Sequence, residues 1–156
     1  MMGTPHLLRR HFLPVVGLAL AGRSWAGMLP NQVPQQEQGI QVATEFLRRL
    51  DAGAYDAAFA LVSRRVQAQF PFPQFVKQVQ STRARAGPRI INRTLVGTQG
   101  LDRSAASALP NSGGQAQWTI RFRSVSSAGA LYEDVHMEVD ETRRWAVAGW
   151  FISPAG

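Results

Sequence analysis

The sequence predicts an α+β domain in which helices come first and a four-stranded antiparallel sheet follows. Two observations predict this order. Before Pro88, apolar residues recur every three or four positions, the spacing that gives a helix one buried face. After Pro88, apolar and polar residues alternate, which is the period of a strand with one buried face. Such a sheet must curl around a helix to bury its apolar face.

Residues 1–26 have the pattern of a cleaved signal peptide. A basic start at Arg9-Arg10 precedes an apolar run over 12–21 and the small residues of Ser24-Trp25-Ala26. The run is shorter than the roughly 20 residues that a membrane helix needs, so an uncleaved anchor is the less favoured alternative. The stretch Arg9–Leu13 also resembles a twin-arginine signal, although the general secretory route is preferred. We expect an exported, periplasmic protein with no stable membrane span after processing.

The composition narrows the classes of function. The chain carries 17 basic and 10 acidic residues, a formal charge of +7. Removal of residues 1–26 takes away three arginines and no acid, which leaves 14 − 10 = +4. The basic residues are dispersed, so no nucleic-acid partner is expected. The chain has no cysteine, so the domain cannot use disulfides and must depend on its hydrophobic core.

The N-terminal half predicts a linker and three helices. Pro, Gln, Asn and Gly dominate residues 27–38, which predicts a flexible linker before a single domain over 39–153. A first helix is expected over 40–50 and ends at Gly53. A second is expected over 55–62, and a third begins after Pro71 and ends at Gly87-Pro88.

The C-terminal half predicts four strands, at 89–98, 116–125, 130–140 and 144–152. The last is apolar on both faces, so we expect it to be covered on both sides, at the centre of the sheet or in a homodimer. Between the first two strands, residues 99–115 form a long loop that is either a lid or disordered.

One residue of the third strand breaks the alternation. Glu133 shares its parity with Leu131 and Val135, so a regular strand points its carboxylate toward the apolar face. The favoured interpretation is a buried ion pair with Arg83 or Arg93. The alternative is a pocket carboxylate that transfers protons in a small-molecule isomerase or lyase, which requires an apolar pocket and no arginine within hydrogen-bonding reach.

Other chemistries have little support. His136 is the single histidine after residue 26 and falls on the polar face of its strand, so no metal site is predicted. The sequence has no cysteine, no Gly-x-Ser-x-Gly nucleophile and no glycine-rich phosphate loop after a strand, so no cofactor is predicted either. The low-ranked catalytic candidate is therefore Glu133 alone, with Tyr55 and Trp118 beside it as pocket candidates.

Short motifs resemble an exported bacterial family known as domain of unknown function 4019. They are Leu50–Tyr55, Arg83 before Gly87, Arg93, Leu109-Pro110, Glu133 and Trp145–Trp150, and the resemblance covers Ile40 to Ile152. It implies the cone-shaped fold called nuclear-transport-factor-2-like or cystatin-like, an envelope location and no particular activity. Structural roles are expected at seven positions: Asp51, Gly53, Arg83, Gly87, Arg93, Trp145 and Gly149.

The sequence thus favours a binding or protein-interaction module without catalysis. Its expected partner is a small apolar ligand or an envelope protein, and a homodimer through the outer face of the sheet is one arrangement. The alternative is an isomerase or lyase that uses Glu133.

Overall fold

A computed structural model describes residues 33–101 and 117–155, and it confirms the predicted α+β class. Four helices come first and four strands follow. The helices are α1 (Val33–Asp51), α2 (Tyr55–Phe59), α3 (Arg64–Gln69) and α4 (Phe72–Ala86). The strands are β1 (Ile90–Leu101), β2 (Gln117–Ser126), β3 (Gly129–Val139) and β4 (Trp145–Pro154). The strands form one antiparallel sheet in the order β1-β2-β3-β4.

Some predictions fall outside the described residues. These are the signal peptide over 1–26, the start of the linker, and most of the long loop after β1. Where the linker is described, the prediction was wrong, because residues 33–38 belong to α1. Glutamine and glutamate are good helix formers, and Pro34 stands in the first turn, where no intrahelical amide bond is needed.

The end of α1 positions a charged residue. Gly53 adopts a φ of 70°, a left-handed conformation that glycine takes without strain. The amide of Ala54 then donates to the carbonyl of Arg49 at 2.9 Å, which satisfies one of the last helical carbonyls. Asp51 therefore lies at the C-terminal end of α1, beside the turn.

The predicted helix over 55–62 stops early, and an unpredicted helix follows it. α2 ends at Phe59 because Val62 leaves the helix to form a parallel bridge with Val147 of β4. The amide of Val147 donates to Leu61, and the amide of Ser63 donates to Val147. The Ser63 side chain then accepts from the amide of Val66, which starts α3.

The core lies between α1 and the inner face of the sheet, with α2 and α4 beside it. Its buried residues include Ala43, Phe46, Leu47 and Leu50 of α1, Phe75 and Val79 of α4, Ile120 and Phe122 of β2, Val135 and Met137 of β3, and Val147 of β4. The helical spacing of the first four explains how α1 presents one apolar face. Full burial of each large apolar side chain stabilises the fold by about 1.5–3 kcal/mol.

The expected central position of the last strand was wrong, because β4 is an edge strand. The register between β3 and β4 shifts after His136, so Ala146 and Val147 are both buried although they are neighbours. The same strand leaves Phe151 57% exposed. The apolar run of β4 thus has three causes. One face of the strand packs on the core, the bulge turns two neighbouring residues inward, and Phe151 leaves an aromatic side chain exposed.

The outer face of the sheet is polar, as the alternation predicts. Arg121 of β2 lies opposite Asp134 of β3 and donates to both carboxylate oxygens at 2.7 Å. The pair is largely exposed, so it contributes at most about 1 kcal/mol. His136 also lies on this outer face, where the residue keeps some exposure while the ring of Phe151, 4.8 Å away, covers part of its imidazole.

Candidate functional site

The Glu133 side chain is completely buried on the inner face of the sheet. It lies in β3 opposite Phe122 of β2 and Ile152 of β4, and its exposed fraction is 0%. Leu131 and Val135, two residues to either side, are buried on the same face. A carboxylate in such a place has to be paired, because an isolated buried charge would be very costly.

Both oxygens of the Glu133 carboxylate have partners. Oε1 accepts hydrogen bonds from Arg93 Nη2 at 2.8 Å, Arg93 Nε at 3.2 Å and Ser124 Oγ at 2.7 Å. Oε2 accepts from Trp150 Nε1 at 3.2 Å, and Arg83 Nη2 lies 3.4 Å from it. Donors from β1, β2, β4 and α4 therefore converge on one carboxylate.

Asp51 completes this ion network. Its Oδ1 accepts from Arg83 Nη2 at 2.7 Å, and its Oδ2 accepts from Arg93 Nη1 at 2.7 Å. Two carboxylates thus face two guanidinium groups, so the network has no net charge. Burial alone would lower the pKa of Arg93, but the hydrogen bond that Arg93 donates to Asp51 and the charge of Glu133 outweigh it, and the pKa lies above its ordinary value. The network ties the ends of α1 and α4 to the sheet.

These contacts do not meet the condition that the isomerase hypothesis set for Glu133. That hypothesis required Glu133 to lie in an apolar pocket with no arginine within reach. Arg93 instead donates to it twice, and Arg83 forms an ion pair with it. Glu133 therefore has the contacts of a structural anchor.

Arg83 is unusual within the network because part of its guanidinium has no hydrogen bond. Its Nε and Nη1 atoms are buried and have no hydrogen-bond partner among the described residues. The guanidinium carbon lies 4.9 Å from the ring centroid of Trp150. The electron-rich face of the indole thus supplies part of the stabilisation that these N–H groups lack.

Trp150 also forms part of the wall of an apolar cavity. The cavity has a volume of 120 Å³ and lies between α1, α3, α4 and β4. Its wall includes Phe46, Val66, Phe70 and Phe75. Among the described residues that line it, Gln78 is the one with a polar side chain. Phe46 holds the Trp150 ring from the core side, edge to face at 6.5 Å.

The three predicted pocket residues do not meet in this cavity. Tyr55 lines a separate surface pocket with Asp51, and Trp118 packs edge to face on Trp145 at 6.5 Å. Trp118 lies four residues along β2 from the partner of Glu133, which places it roughly 13 Å away along the strand. Tyr132, the neighbour of Glu133 in the strand, lies under the Arg121 guanidinium at 5.3 Å.

Two of the three glycines predicted to be structural, Gly87 and Gly149, have tight surroundings, whereas a Cβ on Gly53 would meet no atom within 4 Å. Gly87 ends α4 with a φ of 98°, and a Cβ there would lie 2.6 Å from Ser126 Oγ. A Cβ on Gly149 would lie 3.0 Å from the ring of Phe151. Trp145 covers Gly39 of α1, where an added Cβ would be 3.5 Å from the indole.

Sequence reasoning missed two features of this region. Trp150 was part of a motif but was not a predicted site residue, because β4 is apolar on both faces and its inward side could not be identified. The alternation of the third strand places Glu138 on the same polar face as His136, yet Glu138 is buried and pairs with Arg65 of α3 at 2.7 Å. The burial of Glu138 was not predicted because its partner, Arg65, lies in α3, a helix that the sequence did not indicate.

Within residues 33–101 and 117–155, no group of three or more His, Cys, Asp or Glu side chains is placed to hold a metal ion. In the same residues, no helix is both long enough and apolar enough to cross a membrane. Neither protein-family models, nor curated proteins, nor solved structures match this chain.

Proposed function

We propose that this protein is a small exported binding module whose apolar cavity takes a small apolar group, such as an aromatic ring. The observation that carries the proposal is the 120 Å³ cavity beside Trp150, with its phenylalanine and valine walls. Cavities of comparable size, about 150 Å³ and lined by similar side chains, stay free of water and admit benzene. Shape and lining therefore favour an apolar occupant over a polar one.

The energetics also favour an occupant. The apolar side chains on the open cavity wall lack the dispersion contacts that a packed neighbour would give them, and this costs free energy. A ligand that restores the missing contacts recovers part of that free energy. A bound apolar group should therefore raise the stability of the protein measurably.

The ion network around Glu133 prepares the cavity for binding. The Trp150 ring is held by its hydrogen bond to Glu133, by the guanidinium of Arg83 and by the edge of Phe46. A wall that is already fixed loses little conformational entropy when a ligand arrives. Glu133 then acts through Trp150 and does not touch the ligand.

Mutation of the cavity wall tests this proposal. Benzene and indole serve as probes, and binding is measured by thermal shift and by the NMR signal of the Trp150 indole N–H. Val66→Phe, on α3, fills the cavity from its wall. Ala68→Phe introduces the same ring on the exposed side of the same helix and is the matched control. Wild type and Ala68→Phe should bind a probe, and Val66→Phe should not.

Two outcomes would contradict the proposal. If neither probe changes the melting temperature or the Trp150 signal of the wild type, the cavity takes no apolar group of this size. If Val66→Phe binds as well as wild type, any binding occurs elsewhere on the surface.

The proposal also includes the cone shape of the fold, export to the periplasm and a homodimer. The order of helices and strands, with α1 against the inner face of the sheet, supports the nuclear-transport-factor-2-like cone. An experimental structure with a flat sheet would exclude it. The pattern of residues 1–26 supports export to the periplasm, and the mass of the mature protein tests cleavage after Ala26.

Sedimentation tests the predicted homodimer through the outer face of the sheet.

A further inference from the structure

A second, larger groove lies beside the β3–β4 hairpin. Its volume is 620 Å³, and it is bounded by α1, the connection from α2 to α3, and the hairpin. It shares one lining residue, Val62, with the apolar cavity. Small-molecule sites usually measure about 300–1,000 Å³, so the groove has the size of a ligand site.

The groove carries an excess of positive charge. Arg64 of α3 and Arg143 and Arg144 of the hairpin line it, together with one acid, Asp140. The described charges at the groove thus sum to 3 − 1 = +2. Glu37 and Glu141 are the neighbouring acids in the sequence, and neither lines the groove.

The one carboxylate in the groove is already occupied by its own hairpin. Asp140 Oδ1 accepts from the Thr142 amide at 2.9 Å, the Thr142 hydroxyl at 2.7 Å and the Arg144 amide at 2.9 Å. Burial would raise the pKa of Asp140, but the hydrogen bonds from Thr142 and Arg144 outweigh it and hold the pKa below its usual range. Asp140 is therefore charged, and it shapes the turn instead of neutralising the groove.

Two of the three arginines are available to a ligand. In the described part of the chain, the side chains of Arg64 and Arg143 make no hydrogen bond or salt bridge, and both are exposed. Arg144 is only partly engaged, since its Nε donates to Thr142 Oγ1 at 2.9 Å and its Nη2 lies 3.5 Å from Asp140.

The backbone at Arg143 adds a second observation. Its φ is 61°, in the left-handed region that glycine or asparagine adopts more easily. It is the one non-glycine residue with positive φ in the described chain. The hairpin thus places a guanidinium at the groove in a position where the backbone would favour a smaller residue.

We infer that this groove binds a small organic molecule with at least two oxyanion groups, which are either carboxylates or phosphates. Guanidinium groups on α3 and on the hairpin can each form a bidentate pair with one such group. Trp145, Val42 and Leu61 line the same groove and supply apolar surface there. The inference does not rest on the apolar cavity or on what that cavity binds.

Calorimetry with two probes tests the inference and distinguishes the two kinds of oxyanion. Citrate presents carboxylates and pyrophosphate presents phosphates. At least one should bind, and added salt should weaken it because the pairs lie at the surface. Arg64→Gln should weaken binding about tenfold, the loss expected for one charge-assisted pair. Arg123→Gln removes an exposed arginine from the outer face of β2 and should leave the affinity unchanged.

Arg143→Gly separates a ligand-binding role from a structural one. Glycine relaxes the backbone at this position, so the melting temperature should rise while the affinity for the probe falls. The inference is overturned if neither probe binds, if Arg123→Gln weakens binding as much as Arg64→Gln, or if Arg143→Gly leaves the affinity unchanged.

Discussion

The indole N–H of Trp150 donates to Oε2 of Glu133 at 3.2 Å. This hydrogen bond joins the charge-balanced ion network, in which Glu133 and Arg83 are buried, to the wall of an apolar cavity, because the same indole ring lines that cavity. Disturbance of the network should therefore change both the stability of the fold and the shape of the cavity. The first two predictions follow from this link.

Glu133→Gln should destabilise the protein by about 3–5 kcal/mol, because it removes the fully buried carboxylate that pairs with Arg83, which is buried, and with Arg93, which is partly buried. Urea unfolding measures the effect. Asp134→Asn is the matched control on the same strand, and it breaks a mostly exposed pair with Arg121 at a cost of at most about 1 kcal/mol. If the two variants lose the same free energy of unfolding, the Glu133 network contributes no more to stability than the exposed pair between Arg121 and Asp134.

Trp150→Phe should destabilise the protein by about 1.5–3 kcal/mol and weaken the binding of apolar probes. Phenylalanine keeps an aromatic ring but cannot donate to the Glu133 carboxylate. Trp145→Phe makes the same chemical change where the indole nitrogen has no hydrogen bond within the described residues. Unfolding by denaturant and probe titration should show little effect of the control. A similar loss of probe binding in both would contradict the role of Trp150.

Gly87→Ala should destabilise the protein by about 2–4 kcal/mol. The φ of 98° is strained for alanine, and the new Cβ would approach Ser126 Oγ to 2.6 Å. Gly97→Ala, in β1, is the control because a Cβ there has no atom within 4 Å. Thermal unfolding should show that the control is neutral or slightly stabilised. If Gly87→Ala leaves the melting temperature unchanged, the turn between α4 and β1 adjusts to the new side chain without a cost in stability.

His136 should titrate below pH 6.5. Partial burial of its ring against Phe151 lowers the pKa, and the nearby Asp134 carboxylate only partly opposes this. The unfolded chain then binds a proton first as the pH falls. The stability contributed by neutral His136 is therefore complete above about pH 6.5 and is lost as the pH falls through the folded pKa.

NMR titration of the His136 ring measures this pKa directly. Phe151→Ala exposes the ring and should move the pKa toward 6.5. If Phe151→Ala leaves the pKa unchanged, contact with that aromatic ring is not the cause of the shift.

Local patterns were enough to predict the class of the fold. The change from helical to alternating spacing after Pro88 needs only neighbouring residues, and it correctly separated the helices from the strands. The inward direction of Glu133 followed from the same alternation, since Leu131 and Val135 share its side of the strand. The nearby turns at Gly53 and Gly87 were also predicted, because each depends on one local conformation.

Features that depend on distant pairing could not be predicted in this way. The helix predicted over 55–62 ends earlier in the structure because Val62 pairs with Val147 of β4. No local sequence pattern indicates a pairing between residues so far apart in the chain. Glu138 was assigned to solvent because its partner, Arg65, lies 73 residues earlier in the chain. The cavity is a gap between helices, and its size depends on how their side chains pack together rather than on any motif.

The bridge between Val62 and Val147 has a consequence for self-assembly. Unpaired strand edges recruit other chains, and a repeating stack needs two of them, one on each side of the sheet. Here the chain's own backbone occupies the β4 edge at Val147, while β1 leaves Ile91 and Val96 exposed on the opposite edge. When the β1 edge of one molecule pairs with another chain, the next molecule cannot pair in the same way at Val147, because the backbone there is already hydrogen-bonded to Leu61 and Ser63. Growth of a fibril by strand addition is therefore blocked at that position by the fold itself.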